Sequence, residues 1–152
     1  MMNRERIISS EALIDNEVKK VSKDIRLEHT VIIVLFYGER APKYCVQMSR
    51  NPESGADIPI KSNFWEIYSS MVGKNLSIRD GAILVKIDCV VPMIKGFSYR
   101  IYPPYFNVSR KENLGSGYNS SLDFSNARRV GCVYFMNVDG IKKFIKGKEV
   151  EL

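Results

Sequence analysis

The chain has 152 residues, 45% hydrophobic and 26% charged, which suits one globular domain, 1–152, with a sizeable core. Its formal charge is +6, held unevenly: residues 1–76 carry 11 basic and 10 acidic side chains (net +1), residues 77–152 carry 12 and 7 (net +5). That surplus permits attraction to nucleic acid or to an acidic protein, but no long block of like charges or arginine-rich arm accompanies it.

No apolar run approaches the ~20 residues of a membrane helix; residues 31–37 form the longest. Residues 1–6 are charged and lead into a polar helix, so no signal peptide, no membrane partner and a cytoplasmic location are expected, whether of a cell or of a virus growing in one. Cys45, Cys89 and Cys132 are few and far apart, which argues against a disulfide framework and a zinc site.

Taken in order, Ser9 or Ser10 suits an N-cap, and Ile14, Val18, Val21 and Ile25 recur at helical spacing, predicting a helix over 10–26. His29 marks the surface end of a strand, and 30–37 reads as that strand, covered on both faces. A turn at 38–42 leads to a weaker strand over 43–48. Residues 51–61 are loop by composition. A helix over 62–73 follows, with Phe64, Ile67, Tyr68 and Met71 on one side and the sole tryptophan, Trp65, flanking it. The indole N–H of Trp65 calls for a partner.

Residues 81–103 read as a hairpin around which the sheet is built. Ile83, Val85, Ile87 and Cys89 alternate with Leu84, Lys86, Asp88 and Val90, which predicts a strand with one buried side, and Phe97, Tyr99 and Ile101 form the inward parity of the second strand. Lys86, Arg100 and Tyr102 are then left on the outer face. Residues 105–125 read as a long flexible excursion around Gly115–Ser116–Gly117, with Tyr105, Tyr118 and Phe124 among small polar residues. Residues 130–138 form a last strand, and Ile141, Phe144 and Ile145 predict a short amphipathic C-terminal helix with Lys142, Lys143, Lys146 and Lys148 outside.

The fold predicted is α+β: about five strands in a mainly antiparallel sheet, two main helices packed on it and a short C-terminal helix. No phosphate-binding glycine loop, nucleophile elbow or metal-spaced His/Cys pair is present, so no cofactor, metal or catalytic residue is assigned. An enzymatic reading rests only on carboxylates such as Asp88, beside Lys86, gathering round Mg²⁺. The reading favoured is a non-catalytic protein-binding role, of the inhibitor or accessory type found in viruses and mobile elements. It rests on a motif-free, Ile/Lys/Asn/Ser-rich composition. Tyr105, Tyr118 and Phe124 would supply aromatic anchors. Arg128, Arg129, Lys142, Lys143 and Lys146 would steer an acidic partner, and Arg100 and Tyr102 would add to the surface. Nucleic acid held on the basic and aromatic residues is the alternative ligand.

Overall fold

The strand Val31–Phe36 (β1) lies at the centre of the molecule because its six residues are apolar on both parities. Its Val31, Ile33 and Leu35 enter one core; Val34 and Phe36 enter another on the opposite face. The computed structural model describes residues 4–21, 23–48, 57–102 and 115–152. Within them, an eight-stranded mixed sheet carries helices on both faces. The elements are α1 (Arg4–Val18), β1, β2 (Cys45–Gln47), β3 (Ile58–Pro59), α2 (Phe64–Lys74), a 3-10 helix (Leu76–Arg79) and β4 (Ala82–Lys86). Then come β5 (Met93–Ile101), α3 (Gly115–Phe124), β6 (Val130–Asn137), β7 (Gly140–Ile145) and β8 (Lys148–Val150).

The strand order is β2-β5-β4-β1-β6-β7-β8, with β3 beside β2 on β5. The chain is α+β, as the sequence predicts, but the sheet has eight strands among the described residues where about five were expected. Its central pair, β1 and β4, is parallel, and the other pairings are antiparallel. A parallel pair needs a long crossover, which α2 and the 3-10 helix supply between β1 and β4.

Three local differences from the sequence reading have physical causes. First, α1 begins at Arg4, so Ser10 is a buried interior residue rather than a cap, and the helix stops at Val18 rather than near residue 26. Bonds from Lys20 N to Glu17 O (3.2 Å) and Val21 N to Val18 O (3.0 Å) tighten the last turn. Val21 still reaches the core from the turn beyond.

Second, residues 141–145 form β7, not a helix. Lys146 (φ 51°) and Gly147 (φ 77°) make a two-residue turn with both residues left-handed, which aligns β7 with β8. Ile141, Phe144 and Ile145 still point to apolar neighbours, so the apolar positions were right and the period was not.

Third, residues 115–124 are helical. Within α3, Tyr118, Leu122 and Phe124 are buried against β6 and β7. The flexible excursion expected over 105–125 is therefore replaced by a packed helix from 115 onward; 105–114 lie outside the described residues.

Two polar tethers fix α1. The Glu17 carboxylate is buried and accepts from Phe64 N–H at 2.7 Å, capping α2 at its first residue; the Asn63 side chain does not cap it. Lys20 neutralises the same carboxylate, and the Trp65 indole donates to Glu17 O at 2.7 Å. Further along, Lys143 of β7 meets Glu11 (3.1 Å) and Asp15 (2.9 Å), one helical turn apart on α1, and Tyr134 of β6 also bonds Asp15. Burial drives the Tyr134 hydroxyl's pKa far above its ordinary value, so it stays protonated and donates.

Replacing Glu17 with alanine is expected to lower the unfolding free energy by about 2 kcal/mol, because a buried N–H and a helix cap lose their acceptor. Glu17→Gln should cost clearly less, since its amide oxygen can still accept from Phe64 N–H. Urea unfolding of both variants checks this; equal losses would show that the carboxylate's charge, and not the cap, is what counts.

Candidate functional site

The candidate site lies at the sheet edge where β2 covers the end of β5. Its geometry follows from one residue. Ser98 adopts φ 61°, and its hydroxyl donates within 2.8–2.9 Å of Asp80 O and Ser77 O below it. The β4–β5 register shifts here. An inserted residue of this kind reverses the parity that follows. Phe97 consequently packs on the α1/α2 side, whereas Tyr99 and Ile101 pack toward α3. The sequence reading put all three on one face; the bulge separates them.

After the bulge, Arg100 and Tyr102 are exposed, as the sequence predicted. Val46 stands directly opposite Arg100, so their side chains share a face. Tyr102 N–H donates to Tyr44 O at 2.6 Å, and the Arg100 guanidinium lies 5.8 Å from the Tyr102 ring centroid. Tyr44 is 51% exposed, Val46 57% and Tyr102 46%, so three large apolar side chains meet water at one corner. Tyr44 also holds φ 67°, a backbone conformation that costs a bulky residue on the order of 1 kcal/mol. Sequence reasoning missed Tyr44 and Val46, since β2 is short and its alternation weak.

The other residues singled out from the sequence are scattered. Tyr105 lies outside the described residues. Tyr118 is 2% exposed and Phe124 fully buried, so neither is a surface anchor: both spend their apolar area inside. The Tyr118 hydroxyl donates to Glu149 at 2.7 Å, and burial with that carboxylate pushes its pKa up to about 12.

Arg129 is also internal in role. Its guanidinium donates to Tyr37 O (2.9 Å), Arg40 O (2.6 Å) and Ala41 O (3.1 Å), clamping the turn after β1. Gly38 holds φ 100°, a conformation that favours glycine, and a Cβ there would displace the Arg129 guanidinium, 2.6 Å away at Nη1. Lys143 is buried in its tether to α1. Arg128, Lys142 and Lys146 are exposed, with Lys142 3.5 Å from Glu149.

Asp88 and Lys86, the residues of the enzymatic reading, are paired with each other at the end of β4, and Asp88 Oδ2 accepts from Gly38 N–H at 3.0 Å. Burial alone would raise the Asp88 pKa; the bonds from Lys86 and Gly38 outweigh it and hold the carboxyl below its usual range. No three His, Cys, Asp or Glu side chains gather as a metal-holding group among the described residues. Cys132 is buried and Cys45 and Cys89 are half-buried, all three as free thiols; burial pushes Cys45 up to about 11, which keeps it a weak nucleophile. No helix among the described residues is long and apolar enough to cross a membrane.

No protein-family profile matches the chain, and no curated protein sequence matches it. Similarity appears among solved structures. One is described as a hypothetical membrane spanning protein from Bacillus cereus: TM-score 0.64 at 15% identity, covering 94% of this chain and 64% of that one. Another is a double cysteine mutant of DacA from Staphylococcus aureus: TM-score 0.50 at 14% identity, covering 97% and 85%. The chain thus spans less than two thirds of the Bacillus cereus protein. At such identities the likeness is one of fold.

Two outcomes check this geometry. Tyr44→Gly should leave stability unchanged or raise it by up to about 1 kcal/mol, since glycine removes the left-handed strain and little buried area is lost; a loss above about 1 kcal/mol would mean that the ring is packed. Because Asp88's folded pKa is lowered, its contribution is present above about pH 4 and lost as pH falls through that lower value. The stability gap between wild type and Asp88→Asn should therefore be constant from pH 7 to about 4 and shrink below. A gap that widens in acid contradicts the pairing.

Proposed function

We propose that the protein is a non-catalytic binding protein whose ligand is another protein, held at the corner formed by β2 and the end of β5. The observation that supports this most is the grouping of Tyr44, Val46, Arg100 and Tyr102, exposed together at a sheet edge, with Tyr44 kept in a strained backbone conformation. Tyrosine and arginine supply large contact area and directed donors, which is why they dominate binding hot spots. An edge strand adds backbone groups that an extended segment of a partner can pair with. The net charge of +6, with Arg128, Lys142 and Lys146 exposed, favours a partner with acidic character, since long-range attraction speeds encounter. An inhibitory or accessory role of the viral or mobile-element type, exercised in the cytoplasm, is part of the proposal. It is supported by the motif-free, Ile/Lys/Asn/Ser-rich composition.

Nucleic acid is the second reading, supported by the Arg100–Tyr102 pair, since aromatic rings stack on bases and arginine adds a cation–π contact. The two readings separate in one experiment. The tagged protein and the variant Tyr44→Ser/Arg100→Ala/Tyr102→Ser are used for affinity capture from the native cell with nuclease present. The proposal expects one protein to be retained by the wild type and lost with the variant, at equal melting temperature. Retention by both, or capture abolished by nuclease or falling steeply with salt, would contradict it.

A further inference from the structure

A cleft of about 750 Å³ opens between chain segments that contribute no side chain to the proposed docking corner. Its floor is α2, where Trp65, Tyr68 and Val72 recur at spacings of three and four and so share one helical face. Its opposite wall is the segment 25–29, including Leu27 and His29. The 3-10 helix closes one side. Residues three apart eclipse one another in such a helix, so Leu76 and Arg79 project together, and both line the cleft. Leu76 is 66% exposed, an apolar side chain left at the mouth.

The polar end is built by His29 and Tyr68, whose Nε2 and hydroxyl lie 2.6 Å apart. Burial pushes the Tyr68 hydroxyl up to about 12 and the His29 imidazole down. Both are therefore neutral at physiological pH, joined by a hydrogen bond whose direction follows the imidazole tautomer. After burial, the strongest single influence on each is the Arg79 guanidinium, ahead of Glu28 and of Asp80 at His29 and ahead of Asp80 at Tyr68. Arg79 is exposed, and among the described residues no hydrogen bond or ion pair engages it. Glu66, at the rim, has Lys20 as a neighbouring cation.

We infer that this cleft is a binding site for a small amphipathic anion, with its apolar body between Trp65, Val72 and Leu76 and its charged head on Arg79 beside the His29–Tyr68 pair. The volume falls within the usual range of small-molecule sites, roughly 300–1,000 Å³, and such sites combine apolar walls with few directing polar groups. A carboxylate or sulfonate matches the fork of a guanidinium. The site shares no lining side chain with the docking corner, so the variants that test one leave the side chains of the other in place.

Trp65 is the sole tryptophan and lines the cleft, so its emission is a probe at the site, and the Arg79 and Leu76 variants assign the signal to it. The test uses 8-anilinonaphthalene-1-sulfonate as a fluorescent anion, with decanoate, decyltrimethylammonium and decanol as competitors below the concentrations at which they self-associate. The expected result is saturable energy transfer from Trp65 to the dye, displaced by decanoate at least about tenfold more effectively than by decyltrimethylammonium. Arg79→Met should weaken decanoate about tenfold or more and leave decanol unchanged, at an unaltered melting temperature; Leu76→Ser should weaken both. Absence of saturable transfer, equal displacement by the cation, or decanoate affinity unaffected by Arg79→Met would overturn the assignment.

Discussion

The architecture depends on burying β1 on both faces. A strand with six apolar residues cannot rest one face on water, so it needs a layer on each side. Odd-numbered positions are covered from the α1 and α2 side, even-numbered positions from the α3 side. Each fully buried Val, Leu or Ile contributes about 1.5–3 kcal/mol relative to exposure. The parallel partner β4 shares the constraint: Ile83 and Val85 face one core, Ala82 and Leu84 the other. Everything else is arranged around these two strands, and the sheet can expose apolar side chains only toward its ends.

That arrangement explains where polar groups had to be spent. Covering one face with two helices brings the end of α1 against the start of α2, and an exposed cap would not survive there. Glu17 resolves the crowding by serving as the acceptor itself, with Lys20 balancing its charge. Lys143 does the corresponding work further along, joining α1 to β7. With α1 anchored at both places, the helices do not extend over the β2 corner, and Tyr44, Val46 and Tyr102 remain uncovered.

The sequence made β1 and β6 legible as strands covered on both faces, because continuous apolar runs have few other uses. β4 was legible as a strand but with one buried side; the burial of Ala82 and Leu84 on its other face corrects that reading. Other elements were hidden for specific reasons. Ile141, Phe144 and Ile145 fit a helical spacing and a short hairpin strand equally well, and only the left-handed pair Lys146–Gly147 decides between them. Around Tyr118, glycine and serine suggest a loop, yet the aromatic side chains gain enough by packing on Phe135 and Phe144 to hold a helix. The candidate site was half visible: Arg100 and Tyr102 could be placed outside, but the bulge at Ser98 that turns them to Val46 leaves no periodic signal. Tyr44 owes its position to a backbone conformation that its residue type does not announce.

Amide hydrogen exchange tests the central claim, that two-sided burial makes a rigid centre while the Cys45 amide of β2 stays outside the ladder. Ile33, Val34 and Leu35 should exchange only through global unfolding, with a free energy equal to that from denaturant. The Cys45 amide, on the side of β2 away from β5 by strand alternation, should exchange at close to the rate of an unprotected amide. Protection of Cys45 matching that of β1, or sub-global exchange within β1, would contradict the account.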